Sequence, residues 1–165
     1  MKLSILSKIL TFALIALTSI ANPAWSQDRA ASIKFEGSVS DGIGSRVPVD
    51  DIEAIGLVTE TVYDPFDKVE TEYAGVWLDS LAEHFGGQGV SLITTSAIDG
   101  YTVEWDFDYL SEYRVLIATR SGGERLTLET KGPLRVIFAD YDENQTHFKE
   151  TLPKWVWMIT SIRFD

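Results

Sequence analysis

Lys131-Gly132-Pro133-Leu134-Arg135-Val136-Ile137-Phe138-Ala139, followed after a polar interval by Trp155-Val156-Trp157-Met158-Ile159-Thr160-Ser161-Ile162, is the stretch whose reading decides the fold. Gly132-Pro133 marks a turn, and the run from Leu134 to Ala139 is rich in β-branched and apolar residues, which predicts a strand. Asp140 to Pro153 carries Asp142, Glu143, Asn144 and Gln145 in succession and predicts a long surface loop. Trp155 to Phe164 then returns as a last strand, on which Trp155 and Trp157 share a face because side chains alternate.

Upstream, Ile33 to Val39 alternates as a first strand, with Gly42, Gly44 and Ser45 marking the loop after it. Pro48 to Gly56 has acids in its first turn and glycine past its end, the pattern of a short helix. Thr59 to Tyr63 and Val69 to Tyr73, joined by Asp64-Pro65-Phe66-Asp67, predict a hairpin. Gly75 to Phe85 places apolar residues at 77, 78, 81, 82 and 85, the spacing of a helix face, and Gly86-Gly87 stops it. Further strands are predicted over Val90 to Ala97, Tyr101 to Phe107, Arg114 to Arg120 and Arg125 to Glu129. With no internal repeat and no linker, the chain reads as one α+β domain. Its sheet is mostly antiparallel and barrel-like, with two or three helices.

Residues 1–26 read as a secretory signal: Lys2 and Lys8 open it, Ile9 to Ala21 is apolar, and Ala24-Trp25-Ser26 supplies small residues for cleavage before Gln27. Removing residues 1–26 from the 165 leaves a single domain of 139 residues, long enough to bury a core without staples. The expected location is the periplasm, with no membrane insertion after cleavage. The chain contains no cysteine, so packing alone stabilises it there and thiol chemistry is excluded. Without Lys2 and Lys8, 12 basic residues face 25 acids, a charge of about −13. Such a surface repels phosphate backbones and anionic lipid, which argues against nucleic acid as a partner.

Taken in order, Gly37-Ser38-Val39, Val49-Asp50-Asp51-Ile52-Glu53, Tyr73-Ala74-Gly75-Val76-Trp77-Leu78-Asp79-Ser80-Leu81, Asp99-Gly100-Tyr101, Val115-Leu116-Ile117-Ala118, Gly123-Glu124-Arg125-Leu126 and the C-terminal pair quoted above resemble the sulfite-oxidase-type molybdopterin-binding domain. The resemblance implies a sulfite-oxidase-like fold. It departs from the enzymes of that family in three places. Their molybdenum is held by one cysteine thiolate, which this chain lacks. Their His-Gly-x-Pro-x-Arg turn, whose histidine and arginine hold the pterin, has Lys131 near the histidine and Arg135 at the arginine, with one residue fewer between. A lysine that contacts the pterin phosphate is matched by Val156. This combination is similar to cysteine-less periplasmic pterin-binding proteins, the PruR-like group. That resemblance implies a non-enzymatic protein that takes pterin as ligand and no metal. It also implies that ligand state is signalled to a membrane sensor such as a diguanylate cyclase or a histidine kinase. The alternative is a molybdopterin-dependent oxidoreductase that holds its cofactor without a cysteine.

A pterin needs a stacking surface, a cation or amide for its acceptor edge and a carboxylate or carbonyl for its 2-amino, N3–H edge. Aromatic stacking on such a ring contributes roughly 1–3 kcal/mol. Arg135 and Lys131 are the candidates for the acceptor edge, and Arg120, before the Gly122-Gly123 turn, is a third. Asp99, in a turn two residues before Tyr101, is the first candidate for the donor edge, and Asp140 the reserve. Tyr101, Trp77 and Trp155 are the stacking candidates, although buried tryptophans are usually core. Other chemistries find no support. His84 and His147 are the two histidines, without ligand-spaced partners, and read as surface residues. N-terminal sequencing of the exported protein should begin at Gln27; a sequence beginning at Met1 would mean that the leader is retained.

Overall fold

A computed structural model describes residues 31–165; the predicted leader over residues 1–26 lies outside the described residues. The first strand, β1 (Ser32–Gly37), buries Ile33 and Phe35 and exposes Lys34 between them. It is paired by β2 (Arg46–Pro48), and Pro48 caps α1 (Val49–Ala54), with Asp50 and Asp51 in the first turn. The hairpin then follows as β3 (Val58–Asp64) and β4 (Val69–Trp77), and β4 runs straight into α2 (Leu78–Phe85). Next come β5 (Leu92–Ala97), β6 (Thr102–Asp106), α3 (Phe107–Glu112), β7 (Val115–Ser121), β8 (Glu124–Arg125), β9 (Arg135–Phe138), α4 (Thr146–Lys149) and β10 (Ile159–Phe164).

These strands form two sheets. One has the order β2-β1-β10-β5-β6, in which β1 and β10 run parallel, Lys34 opposite Ser161, and the other pairs are antiparallel. The other has the order β3-β4-β7-β8, and β9 also pairs with β7. An isolated bridge between Leu134 and Ile159 ties the start of β9 to the start of β10 and so joins the sheets. Between them lies a core in which Phe35 meets Phe85 and Phe164 edge-on, at ring separations of 5.1 and 5.4 Å. The α+β class is as the sequence reads, but the sheets do not close into a barrel among the described residues.

Four local expectations are corrected. The helix expected from Gly75 begins at Leu78, because Gly75, Val76 and Trp77 complete β4 and pair with β7, Gly75 with β3 as well. Ladder pairing overrides a three-residue extension of helical periodicity. The strand expected over Arg125 to Glu129 stops at Arg125 and turns into one 3₁₀ turn, Leu128–Thr130, closed by reciprocal bonds between Thr127 and Thr130. The last strand starts at Ile159 rather than Trp155, since Met158 takes a left-handed conformation with φ +54° and breaks the extended run. Four helices, rather than two or three, are present among the described residues; α3 and α4 are single short turns set in segments expected as strand end and loop. Among the described residues no helix is long and apolar enough to cross a membrane.

Gly75 sits where β4 and β7 shift register, and a Cβ there would lie 2.1 Å from the Ile117 carbonyl oxygen. Gly75→Ala should therefore cost about 1–3 kcal/mol by forcing the two strands apart. Urea unfolding measures it, and a midpoint equal to that of the wild type would contradict the close approach.

Candidate functional site

The site is organised by the turn at the tip of the β3-β4 hairpin. Asp64 ends β3, and its Oδ1 accepts the N–H groups of Phe66 at 2.8 Å and Asp67 at 3.0 Å, which closes the turn. Its Oδ2 accepts the Tyr73 hydroxyl at 2.6 Å and lies 2.6 Å from Arg135 Nη2, while Arg135 Nη1 donates to the Tyr73 oxygen at 2.8 Å. Arg135, Asp64 and Tyr73 are 2%, 0% and 1% exposed, so this is a buried charge pair with a phenol wedged between its members. Burial alone pushes the Asp64 carboxyl up. The Tyr73 hydroxyl, the Asp67 N–H, the Arg135 charge and the Phe66 N–H together outweigh that and hold it below the usual aspartate range. Burial, then the bond to Asp64, pushes the Tyr73 phenol well above its ordinary value, so it remains a donor. Asp67 continues the network outward: Oδ1 accepts Lys131 Nζ at 2.5 Å, and Oδ2 lies 3.6 Å from Arg135 Nη1.

Two grooves lie back to back across Trp157. The first has a cavity volume of about 320 Å³ and is mostly apolar, with Phe66, Ile98, Tyr101, Trp155 and Trp157 in its walls and Asp99 at its rim. Phe66 meets Trp157 edge-on at 5.2 Å and Trp155 at 6.1 Å. Tyr101 is pinned by its hydroxyl, which donates to the Pro153 carbonyl at 2.8 Å, and Asp99 Oδ1 accepts the Tyr101 N–H at 3.0 Å. Asp99 is exposed, and its Oδ2 has no hydrogen bond among the described residues. Trp155 is backed by Phe138 and Tyr141, at 5.9 and 5.4 Å, and its Nε1–H is buried without an acceptor among the described residues. A buried donor left unpaired costs about 1–3 kcal/mol.

The second groove, of about 400 Å³, is lined by Tyr73, Arg125, Lys131 and Arg135, with Thr71 and Thr130 beside them. Each of its three cations already faces a carboxylate: Arg125 faces Asp50 and Glu53, Lys131 faces Asp67, and Arg135 faces Asp64. Arg135 Nη2 meets Asp64 as an ion pair out of hydrogen-bond alignment, and Nε is likewise without a hydrogen bond among the described residues.

Of the residues singled out in the sequence, Asp99, Tyr101 and Trp155 come together in the first groove. Lys131 and Arg135 lie behind it, in the second groove, with Lys131 Nζ 5.7 Å and the Arg135 guanidinium 5.9 Å from the Trp157 ring centre. The other three are placed elsewhere. Arg120 is a strut between β7 and α1, its Nε and Nη2 donating to Glu53 at 3.0 and 2.9 Å. Burial raises the Glu53 carboxyl, but the bonds from Arg120 and Thr119 bring it below the ordinary glutamate range. Trp77 lines a separate depression, with the Arg114 guanidinium 4.5 Å from its ring centre. Asp140 is exposed beyond β9 and lines neither groove. His84 and His147 are exposed. The residues absent from the sequence-derived set are Phe66, Ile98 and Trp157. An aromatic at the tip of a predicted hairpin, in Asp64-Pro65-Phe66-Asp67, was the available signal for the first of them.

The architecture is that of a sulfite-oxidase-like fold. The chain is similar to the sulfane dehydrogenase SoxCD from Paracoccus pantotrophus, with a TM-score of 0.56 and 14% sequence identity over 82% of this chain and 38% of that one. It therefore spans well under half the length of that chain, and at this identity the likeness is one of fold. No family model matches the chain, and no curated protein matches it in sequence. A molybdenum centre does not fit the donor set: the sequence has no cysteine, and no group of three or more His, Asp or Glu side chains converges among the described residues.

Asp64→Asn keeps the turn but leaves Arg135 buried without its counter-charge, which should cost about 3–5 kcal/mol at neutral pH. The Asp64 carboxyl is held below the ordinary value of 3.8, so its contribution is full above that pH. It is lost as pH falls through the lowered value. Urea unfolding of both proteins from pH 7 to pH 2 should show the gap between them closing only below about 3.8. A gap independent of pH would remove the charge pair as its cause.

Proposed function

We propose that this chain is a periplasmic, non-enzymatic pterin-binding protein on a sulfite-oxidase-like fold. Its ligand state is read by the periplasmic part of an inner-membrane partner, a diguanylate cyclase or a histidine kinase. The observation that carries the reading is the first groove: an aromatic trough with a carboxylate at its rim, in a chain without a thiolate. A volume of about 320 Å³ is at the small end of the range for ligand cavities and suits a bicyclic ring. The Trp157 indole supplies the stacking surface, with the buried Trp155 beside it in the wall. Asp99 Oδ2 supplies the acceptor for the 2-amino and N3–H pair, while Oδ1 stays on the Tyr101 N–H and keeps the carboxylate oriented. Lys131 and Arg135 act from behind, as positioning residues that hold Trp157 through their charges over its ring.

Pterin released from the native protein by denaturation is detected by its fluorescence, and the emptied protein is then titrated with pterin. Trp157→Ala should weaken binding by roughly 1–3 kcal/mol, or about 5- to 150-fold in Kd. Asp99→Asn should weaken it while leaving the unfolding midpoint unchanged. Protein that neither releases nor takes up any pterin would refute the reading. Stoichiometric molybdenum in the native material would replace it with the oxidoreductase alternative.

A further inference from the structure

Trp155, in the wall of the trough, carries one polar atom that nothing described so far uses. Trp155 is 3% exposed, lines the first groove, and has a buried Nε1–H without an acceptor among the described residues. Of the rings packed against it, those of Phe66 and Phe138 carry no lone pair, and the Tyr141 hydroxyl does not accept from it among the described residues. Of these three, Phe138 is fully buried in β9 and Tyr141 follows it in the chain, whereas Phe66 is exposed at a hairpin tip. Phe66 is therefore the neighbour that can leave without unpacking the core. Its own ring touches both indoles and so covers the surface on which a flat guest would stack.

We infer that Trp155 Nε1–H is the specificity donor of the trough, uncovered when Phe66 swings aside. The guest is then a planar heteroaromatic ring that brings a carbonyl or ring-nitrogen lone pair to that N–H. This deepens the pterin reading and rests on the same groove, but it assigns recognition of the ring's acceptor side to an indole rather than to a cation. Because Lys131 and Arg135 each already face a carboxylate, a neutral acceptor leaves both of those pairs intact. An orphaned donor favours guests that satisfy it over guests of equal shape that cannot.

Three probes of similar outline separate the possibilities: pterin, quinazolin-4-one and naphthalene. Binding is followed by titration calorimetry and by the indole Nε1–H resonances of ¹⁵N-labelled protein, with Trp155 assigned from Trp155→Phe. In the wild type, the Trp155 resonance should move downfield with pterin and quinazolinone and stay in place with naphthalene. Trp155→Phe should weaken the first two roughly five- to tenfold more than it weakens naphthalene, which loses wall contact but no hydrogen bond. Phe66→Ala, which keeps the indole, should speed association of all three and retain the preference for the acceptor-bearing pair. The wild-type resonance needs no variant to fold, so a Trp155 signal indifferent to pterin and quinazolinone overturns the inference by itself. So does equal weakening of all three probes, or binding of none. Quinazolinone bound through Trp155 without any pterin binding would sink the pterin reading alone; pterin bound with a silent Trp155 would sink only this one.

Discussion

One buried ion pair, Arg135 with Asp64, sets the geometry of everything around it. Each of these charges loses several kcal/mol of hydration on burial, and their attraction offsets this only when the remaining polar positions are also filled. Tyr73 and two backbone N–H groups fill those of Asp64. The pair spans the sheet: Arg135 is on β9, Tyr73 is on β4, and β7 runs between them. At the crossing point Ala118 lies opposite both Gly75 and Arg135, and these two small residues leave room for a long side chain to reach over. The same carboxylate that answers Arg135 also closes the hairpin turn. Phe66 is thereby held against the indoles and Asp67 against Lys131, so that one buried group shapes the walls of both grooves.

The elements visible in the sequence are those whose signals are local. Asp64-Pro65-Phe66-Asp67 reads as a turn because proline and aspartate act within four residues, and the structure closes it in that way. The role of Arg135 is another matter. An arginine before Val136-Ile137-Phe138 reads as a side chain on one face of an alternating strand, yet all four residues of β9 are buried. Its partner lies 71 residues away, between 64 and 135, and no local pattern carries that pairing. Trp155 and Trp157 were legible as a pair but not as a trough. Their shared face was argued from a strand running from Trp155 to Phe164, whereas the strand begins only after Met158, whose left-handed backbone has no signature in its side chain. Gly75 to Trp77 failed for the converse reason. The helical period there is genuine, but β7 pairs with all three residues, and β3 with Gly75 as well, so the ladder won the backbone groups a helix would have used.

The fold likeness and the site chemistry point in different directions, and the difference is physical. A framework similar to that of a sulfane dehydrogenase occurs at 14% identity to it, which is what similar layering and connection lengths permit when side chains differ. A metal centre asks far more: a soft ligand and convergent donors at fixed distances. An aromatic trough asks less, because stacking depends on area and flatness more than on any single contact.

Charge decides what such a trough can accept. The whole sequence carries −11, and the cations nearest the site, Lys131 and Arg135, already face Asp67 and Asp64. A phosphate-bearing guest would meet no unpaired cation there, and would add its charge beside Asp67 and Asp99. To bind it, the protein would have to draw Lys131 away from Asp67 or Arg135 away from Asp64. An uncharged ring makes no such demand, since its acceptor needs one N–H and its donors need one carboxylate oxygen. On the proposed reading, the pairing that stabilises the hairpin is therefore also what selects the bare heterocycle over its phosphorylated relatives.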